Sequence, residues 1–179
     1  KGLEIAEAGY MGLVIWSYDG PFSAGADLQS MMPAFMAGGG KAIAPFEKQL
    51  QDFMLSLRYS NVPTVAAMHG LALGGGCELA VHCAKRVAAM ETYVGLVEVG
   101  VGLIPGGGGL AYQARRAAEL LETSKGISGQ TPVDLMAYIK EFFQASAMAK
   151  VATSGIEARK FGYLLDGDIV VPNKDEILY

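Results

Sequence analysis

Apolar positions along this chain follow two rhythms. Residues 11–18 form a nearly unbroken apolar run, bounded by Gly9-Tyr10 and Asp19-Gly20-Pro21. Such a run suits a strand buried on both faces. Residues 64–68 and 86–90 have the same character and predict two more strands. Between the first two runs, Phe46, Leu50, Phe53, Met54 and Leu57 recur at helical spacing, with Pro45 placed for a first turn. Residues 3–8 read as the last turns of a helix stopped by Gly9, and residues 27–32 as a short helix ended by Pro33. The three glycines in 37–41 predict a loop.

Further along, the glycines at 74–76 lead into a helix starting near Glu78, and residues 110–122 follow a Pro105-to-109 turn as another. Thr131-Pro132-Val133-Asp134 is a capping pattern that opens a long helix through Ala149. Ser154-Gly155-Ile156-Glu157 repeats the capping-box spacing, Gly162 closes that helix, and residues 168–171 return as strand. Strands alternate with helices, so the fold class is α/β. No sequence repeat, low-complexity tract or linker interrupts residues 1–179, which read as a single domain.

Composition narrows the class. Of 179 residues, 51% are hydrophobic and 18% charged, enough to bury a core and too apolar for a disordered chain. A net charge of −4 without any basic run leaves no footprint for nucleic acid or an anionic membrane surface. The longest stretch without a charged residue, 59–77, contains Asn61, Pro63 and His69 and reads as strand, turn and helix start rather than a membrane span. Two cysteines, Cys77 and Cys83, are too few for a disulfide framework; they read as reduced thiols of a cytoplasmic protein. With His82 they show no recognised metal-ligand spacing. No signal peptide follows Lys1, and the absence of a starting Met suggests a chain beginning partway through a longer polypeptide.

The chemistry concentrates beside glycine. Glu78 follows Gly74-Gly75-Gly76-Cys77, and Glu98 precedes Ile104-Pro105-Gly106-Gly107-Gly108-Gly109. Glycine lets backbone N–H groups approach an oxygen closely, while a neighbouring carboxylate moves protons. In Phe22-Ser23-Ala24-Gly25-Ala26-Asp27-Leu28 a strand ends and a helix begins, so the N–H groups of 24–28 form an edge that can bind oxygen. Taken alone, this segment is an ordinary strand-to-helix turn. No Gly-Lys-Ser/Thr follows the glycines, so no phosphate-binding P-loop is present, and no dinucleotide fingerprint either. Ser23 with His69 or His82 offers the raw material of a hydrolase triad, though a core or turn histidine explains each more simply.

Together, SAGADL (23–28), HGLALGGGCELA (69–80) and VEVGVGLIPGGGG (97–109) resemble the enoyl-CoA hydratase/isomerase family, often called crotonases, in content, order and separation. The resemblance implies a crotonase-like repeated ββα spiral, truncated here at both ends. It makes Ala26 and Gly75 the two oxyanion-hole donors and Glu78 and Glu98 the paired acid/base carboxylates. Ala24, Asp27, Leu28 and Gly74 become substrate-binding positions. The implied substrate is an acyl-CoA thioester, with no cofactor of the domain's own. Retention of both glutamates favours hydration in fatty-acid β-oxidation; enoyl-CoA isomerase and a non-catalytic scaffold are the alternatives.

The segment 115–144 is longer than the family's usual connection, and Ala84 stands where many relatives carry an acid. The IPGGGG turn with this insert is similar to hydratase modules of multifunctional proteins that also hold a 3-hydroxyacyl-CoA dehydrogenase region. Homo-oligomer or part of a multifunctional chain is therefore the expected setting.

Overall fold

The computed structural model describes residues 1–128 and 135–179, and side chains at all of these but 124–128. Helix α1 (Gly2–Gly9) leads to β1 (Leu13–Ile15), and α2 (Leu28–Arg58) follows. Next come β2 (Thr64–Met68), β3 (Leu71–Leu73) and α3 (Gly75–His82), then β4 (Lys85–Ala89) and β5 (Tyr93–Gly95). A 3-10 turn at Glu98–Val101 precedes α4 (Gly109–Ser128) and α5 (Leu135–Ala147); α6 (Gly155–Lys160) and β6 (Ile169–Val171) complete the frame.

The strands form two parallel sheets, one ordered β1-β2-β4-β6 and the other β3-β5. Each turn of the chain places one strand in the first sheet, a second in the other, and then a helix. β2-β3-α3 and β4-β5-α4 are two such turns. In the first turn the second strand is reduced to a parallel bridge, Ser23 with Ala72. The repeat is structural: short strands in two stacked sheets need only small apolar residues facing the core, so sequence identity between turns is not required.

The core lies between the sheets and α3. Ala66, Met68, Ala72, Cys77, Ala80 and Leu96 are almost wholly buried there. Beneath α3 the Arg86 and Asp168 side chains form a two-pronged ion pair, Nε to Oδ2 at 2.6 Å and Nη2 to Oδ1 at 3.1 Å. Asp168 also accepts from the Arg86 and Leu165 amides. Arg86 Nη1 in turn donates to the Val81 and Cys83 carbonyls at the C-terminal end of α3. A buried pair this fully hydrogen-bonded ties β4, β6 and α3 into one unit.

Several expectations meet the structure at different boundaries. The second strand matches residue for residue, whereas β1 covers only three residues and leaves Val14 exposed. Val14 is 56% and Trp16 40% exposed, so the apolar run is not buried on both sides. Pro33 does not end a helix: α2 continues through it and breaks instead at Gly39, where φ is 59° and ψ −150°. Helix α3 begins at Gly75, three residues before Glu78. β3 and β5, three residues each, have too few positions to show a period of two.

Ser154 caps α6 as its spacing predicts, accepting from Glu157 N at 3.1 Å, while the Glu157 carboxylate reaches Thr153 N. The capping pattern at 131–134 lies outside the described residues. Around it, α4 and α5 pack against each other, held in part by Ser146 Oγ donating to Gln113 Oε1 at 2.8 Å. The long connection at 115–144 thus supplies most of a helical hairpin.

Candidate active site

Two strand-to-helix turns meet at one cavity because backbone bonds lace them together. Ser23 N donates to Leu71 O and Leu73 N donates to Ser23 O, so the turn carrying Ala24 and Ala26 is stitched along β3. Gly74, at the end of β3, donates to Gly95 O and turns into α3 with φ of 54°, a conformation costly for a side chain with Cβ. The Gly75 amide thereby opens a helix and has no intrahelical acceptor. A carbon placed on Gly75 would lie 3.9 Å from Ala26 N, so the two amides are neighbours. Among the described residues neither amide donates to a protein acceptor. They form an edge suited to a developing oxyanion.

This cavity, about 370 Å³ in volume, is lined by Ala24, Ala26, Leu28, Gly74, Gly75, Glu78 and Glu98. Of the eight predicted site positions, seven border it. Asp27 does not: its carboxylate caps α2, accepting from Gln29 N at 3.1 Å and Ser30 N at 3.2 Å.

Glu78 sits in the first turn of α3 and is 2% exposed. Its Oε1 accepts from Gly109 N at 2.9 Å. Burial pushes its carboxyl up to about 7, the Glu98 and Glu47 charges add to that, and the Gly109 and Gly107 amides pull back. Glu98 opens the 3-10 turn and approaches from the Gly74 side; a carbon placed on Gly74 would lie 3.3 Å from its Oε1. Burial raises its carboxyl as well, with local amides opposing. Glu98 Oε2 is buried without any hydrogen-bond partner. A buried carboxylate oxygen in that state has unused hydrogen-bonding capacity. Two carboxyls raised together at one cavity favour states in which a proton is held by one of them.

The serine-hydrolase constellation is not assembled. Ser23 Oγ accepts from Gly25 N at 3.2 Å, His69 Nε2 donates to Ser17 O at 3.0 Å, and His82 Nδ1 donates to the Glu78 carbonyl at 2.7 Å. Both cysteines are buried and free. Among the described residues no group of three or more His, Cys, Asp or Glu is placed to hold a metal ion, and no helix is long and apolar enough to cross a membrane.

Sequence reasoning passed over Glu47, which lines the same cavity from α2. Glu47 stands one turn before Leu50, and nothing near it in the sequence marks it off from a solvent-facing acid. Arg86 and Asp168, 82 positions apart, gave no local signal of pairing.

Residues 3–130 match the family described as Enoyl-CoA hydratase/isomerase. A Bacillus subtilis protein named "Probable 3-hydroxyacyl-CoA dehydrogenase" is 37% identical over all 179 residues, which span 21% of its length. A fatty acid oxidation complex subunit alpha of Colwellia psychrerythraea is 37% identical over 119 residues, 64% of this chain and 16% of that one. In the crystal structure of an enoyl-CoA hydratase from Bacillus anthracis, 56% of the chain superposes on 95% of this one with a TM-score of 0.66 and 25% identity. The chain therefore spans about a fifth of the two relatives and somewhat over half of the solved structure.

Proposed function

This chain belongs to the enoyl-CoA hydratase/isomerase family, and on that footing we propose that residues 1–179 act as one module that hydrates 2-enoyl-CoA thioesters to 3-hydroxyacyl-CoA in fatty-acid β-oxidation. One observation carries the reading. Two carboxyls raised by burial, one of them with a free buried oxygen, share a cavity with two adjacent backbone amides that lack acceptors.

In this reading the thioester carbonyl oxygen accepts from Ala26 N–H and Gly75 N–H, which hold the negative charge that grows as the enolate forms. The reacting water is held between the Glu78 and Glu98 carboxyls. As its oxygen bonds to C3, one carboxylate takes its proton and the protonated carboxyl delivers a proton to C2. One proton enters the pair and one leaves, so the pair still holds a single proton, now on the opposite carboxyl; its exchange between the two restores the starting state. Ala24, Leu28 and Gly74 shape the entry of the thioester; Asp27 serves them by fixing the start of α2. Each bond change is served by groups of the chain itself, and coenzyme A enters only as part of the substrate.

The relatives' names support a setting in a multifunctional chain that also carries a 3-hydroxyacyl-CoA dehydrogenase. The free, buried thiols are consistent with the reducing cytoplasm. The test is direct. The protein containing this chain should consume crotonyl-CoA with loss of the absorbance of the conjugated thioester, yielding 3-hydroxybutyryl-CoA. Bound crotonyl-CoA left unhydrated would overturn the assignment.

A further inference from the structure

Three carboxylates, not two, border the cavity, and Glu47 is the one the hydration scheme leaves without a task. It stands on α2 between Phe46 and Leu50, on a wall that includes Met31, Val101 and Ile104 and is otherwise apolar. Its carboxylate is packed onto the backbone of Gly106, where any side-chain carbon would overlap it. The next residue, Gly107, is packed in the same way onto Glu78 Oε2 and Leu50. Two successive glycines therefore seat Glu47 and Glu78 side by side.

Nothing among the described residues neutralises Glu47. Lys48, its neighbour in sequence, pairs with Asp52 on the outer face of α2. The amide of Gln51, one turn on, donates to Gly106 O at 2.8 Å. The charge of Glu47 is felt at both Glu78 and Glu98, which places it within electrostatic reach of the reacting carbons.

The order of contacts around the cavity follows the order of atoms in an enoyl thioester. The amide edge of Ala26 and Gly75 adjoins Gly74 and Glu98, whereas Glu78 adjoins Gly107 and then Gly106 with Glu47. A carbonyl held on the amide edge puts C2 and C3 between the two glutamates, and the rest of the acyl group beyond C3 beside the Glu47 wall. An apolar tail meets Leu50, Phe46 and Met31 there. A tail ending in a carboxylate meets an unneutralised carboxylate on a wall that is otherwise apolar.

We propose that Glu47 is the specificity-determining residue that turns away acyl groups bearing a terminal carboxylate, so that the site takes enoyl thioesters with uncharged tails. The proposal rests on the hydratase reading of the same cavity. Its physical basis is like-charge repulsion acting on the tail alone, since coenzyme A contributes the same charge to every substrate.

The experiment compares crotonyl-CoA with glutaconyl-CoA, which share the enoyl thioester and differ in the tail, in the native protein and in Glu47→Gln. The native protein should prefer crotonyl-CoA in kcat/KM. The substitution should narrow that preference by about tenfold, the scale of one half-buried like-charge contact, chiefly through the KM of glutaconyl-CoA. An unchanged ratio, or an equal fall for both substrates, would overturn the proposal and leave Glu47 a support of the Gly106 turn. Binding of the unreactive butyryl-CoA and glutaryl-CoA, followed by calorimetry in the same two proteins, reads the selectivity without turnover. If the native protein hydrates neither enoyl substrate yet Glu47→Gln narrows the binding ratio, the hydratase reading fails and the specificity role stands. If crotonyl-CoA is hydrated and neither ratio moves, the specificity role alone fails.

Discussion

Glu78 and Glu98 face one cavity from elements of unlike construction. Glu78 projects from α3, whose first turn follows a glycine at positive φ and whose last carbonyls are held by the buried Arg86–Asp168 pair. Its carboxylate is 2% exposed and already bonded to Gly109 N. Glu98 opens a single 3-10 turn at the rim, where Val101 is 59% and Ile104 75% exposed, and one of its oxygens has no partner. The inner wall is thus tied down on every side, and the rim keeps bonding capacity open. For the hydration proposed above, which needs a thioester carbonyl held in register while water enters and leaves, that division is favourable.

The strongest way to break the contrast is to remove each carboxylate in turn. Glu78→Gln should lower hydration of crotonyl-CoA by about 10²–10⁴-fold, the usual contribution of a positioned acid/base group. Glu98→Gln should also cause a large loss if the rim glutamate shares the work. Should Glu98→Gln instead keep full hydration, the paired mechanism is wrong. A variant that stops hydrating but still converts 3-enoyl-CoA to 2-enoyl-CoA points to isomerase chemistry on one glutamate.

A second test separates catalysis from the support beneath it. Asp168→Ala strands the Arg86 guanidinium in the interior and should destabilise the fold by roughly 3–5 kcal/mol. A comparable substitution at the rim, Val101→Ala, should stay within about 1 kcal/mol because little buried surface is lost. Chemical denaturation of both variants measures the difference; equal losses would mean the inner wall is no firmer than the rim.

The smallest expected effect is the dependence on pH. The Glu78 carboxyl rises from an ordinary 4.5 to about 7 on folding, so the folded state holds its proton more tightly than the unfolded state does. Stability that is complete below about pH 4.5 is then lost as pH climbs through 7, by on the order of 2–3 kcal/mol. Glu78→Gln cannot ionise and escapes that loss. Its melting temperature relative to the native protein should therefore be higher at pH 8 than at pH 4. A difference independent of pH would show that burial does not raise Glu78.

Much of this site was legible because it is built from local signals. Glycines flanking a glutamate, and small residues between a strand and a helix, mark backbone amides that have no internal acceptor. Together with the family resemblance, those signals pointed to eight residues, of which seven border the cavity. Asp27 reads equally well as a substrate contact or as a helix cap, and side-chain direction decided for the cap. Glu47 was missed because a lone acid on an amphipathic helix is indistinguishable from a solvent-facing one until its neighbours are known. β3 and β5 were missed because three residues carry no period, and they are defined by pairing with each other and with distant segments at Ser23 and Ala152.

The α/β alternation, the two glycine turns and the two glutamates beside them were determined by the sequence itself, since each depends on residues within a few positions of one another. Three things were decided only by the tertiary structure. The bonds from Ser23 to β3 bring the Ala26 and Gly75 amides together across nearly fifty positions of chain. The Arg86–Asp168 pair fixes α3 from below through residues 82 positions apart. The backbone at Gly106 and Gly107 seats Glu47 beside Glu78. All three are contacts between distant segments whose strength depends on burial and geometry, which no local pattern of residues encodes.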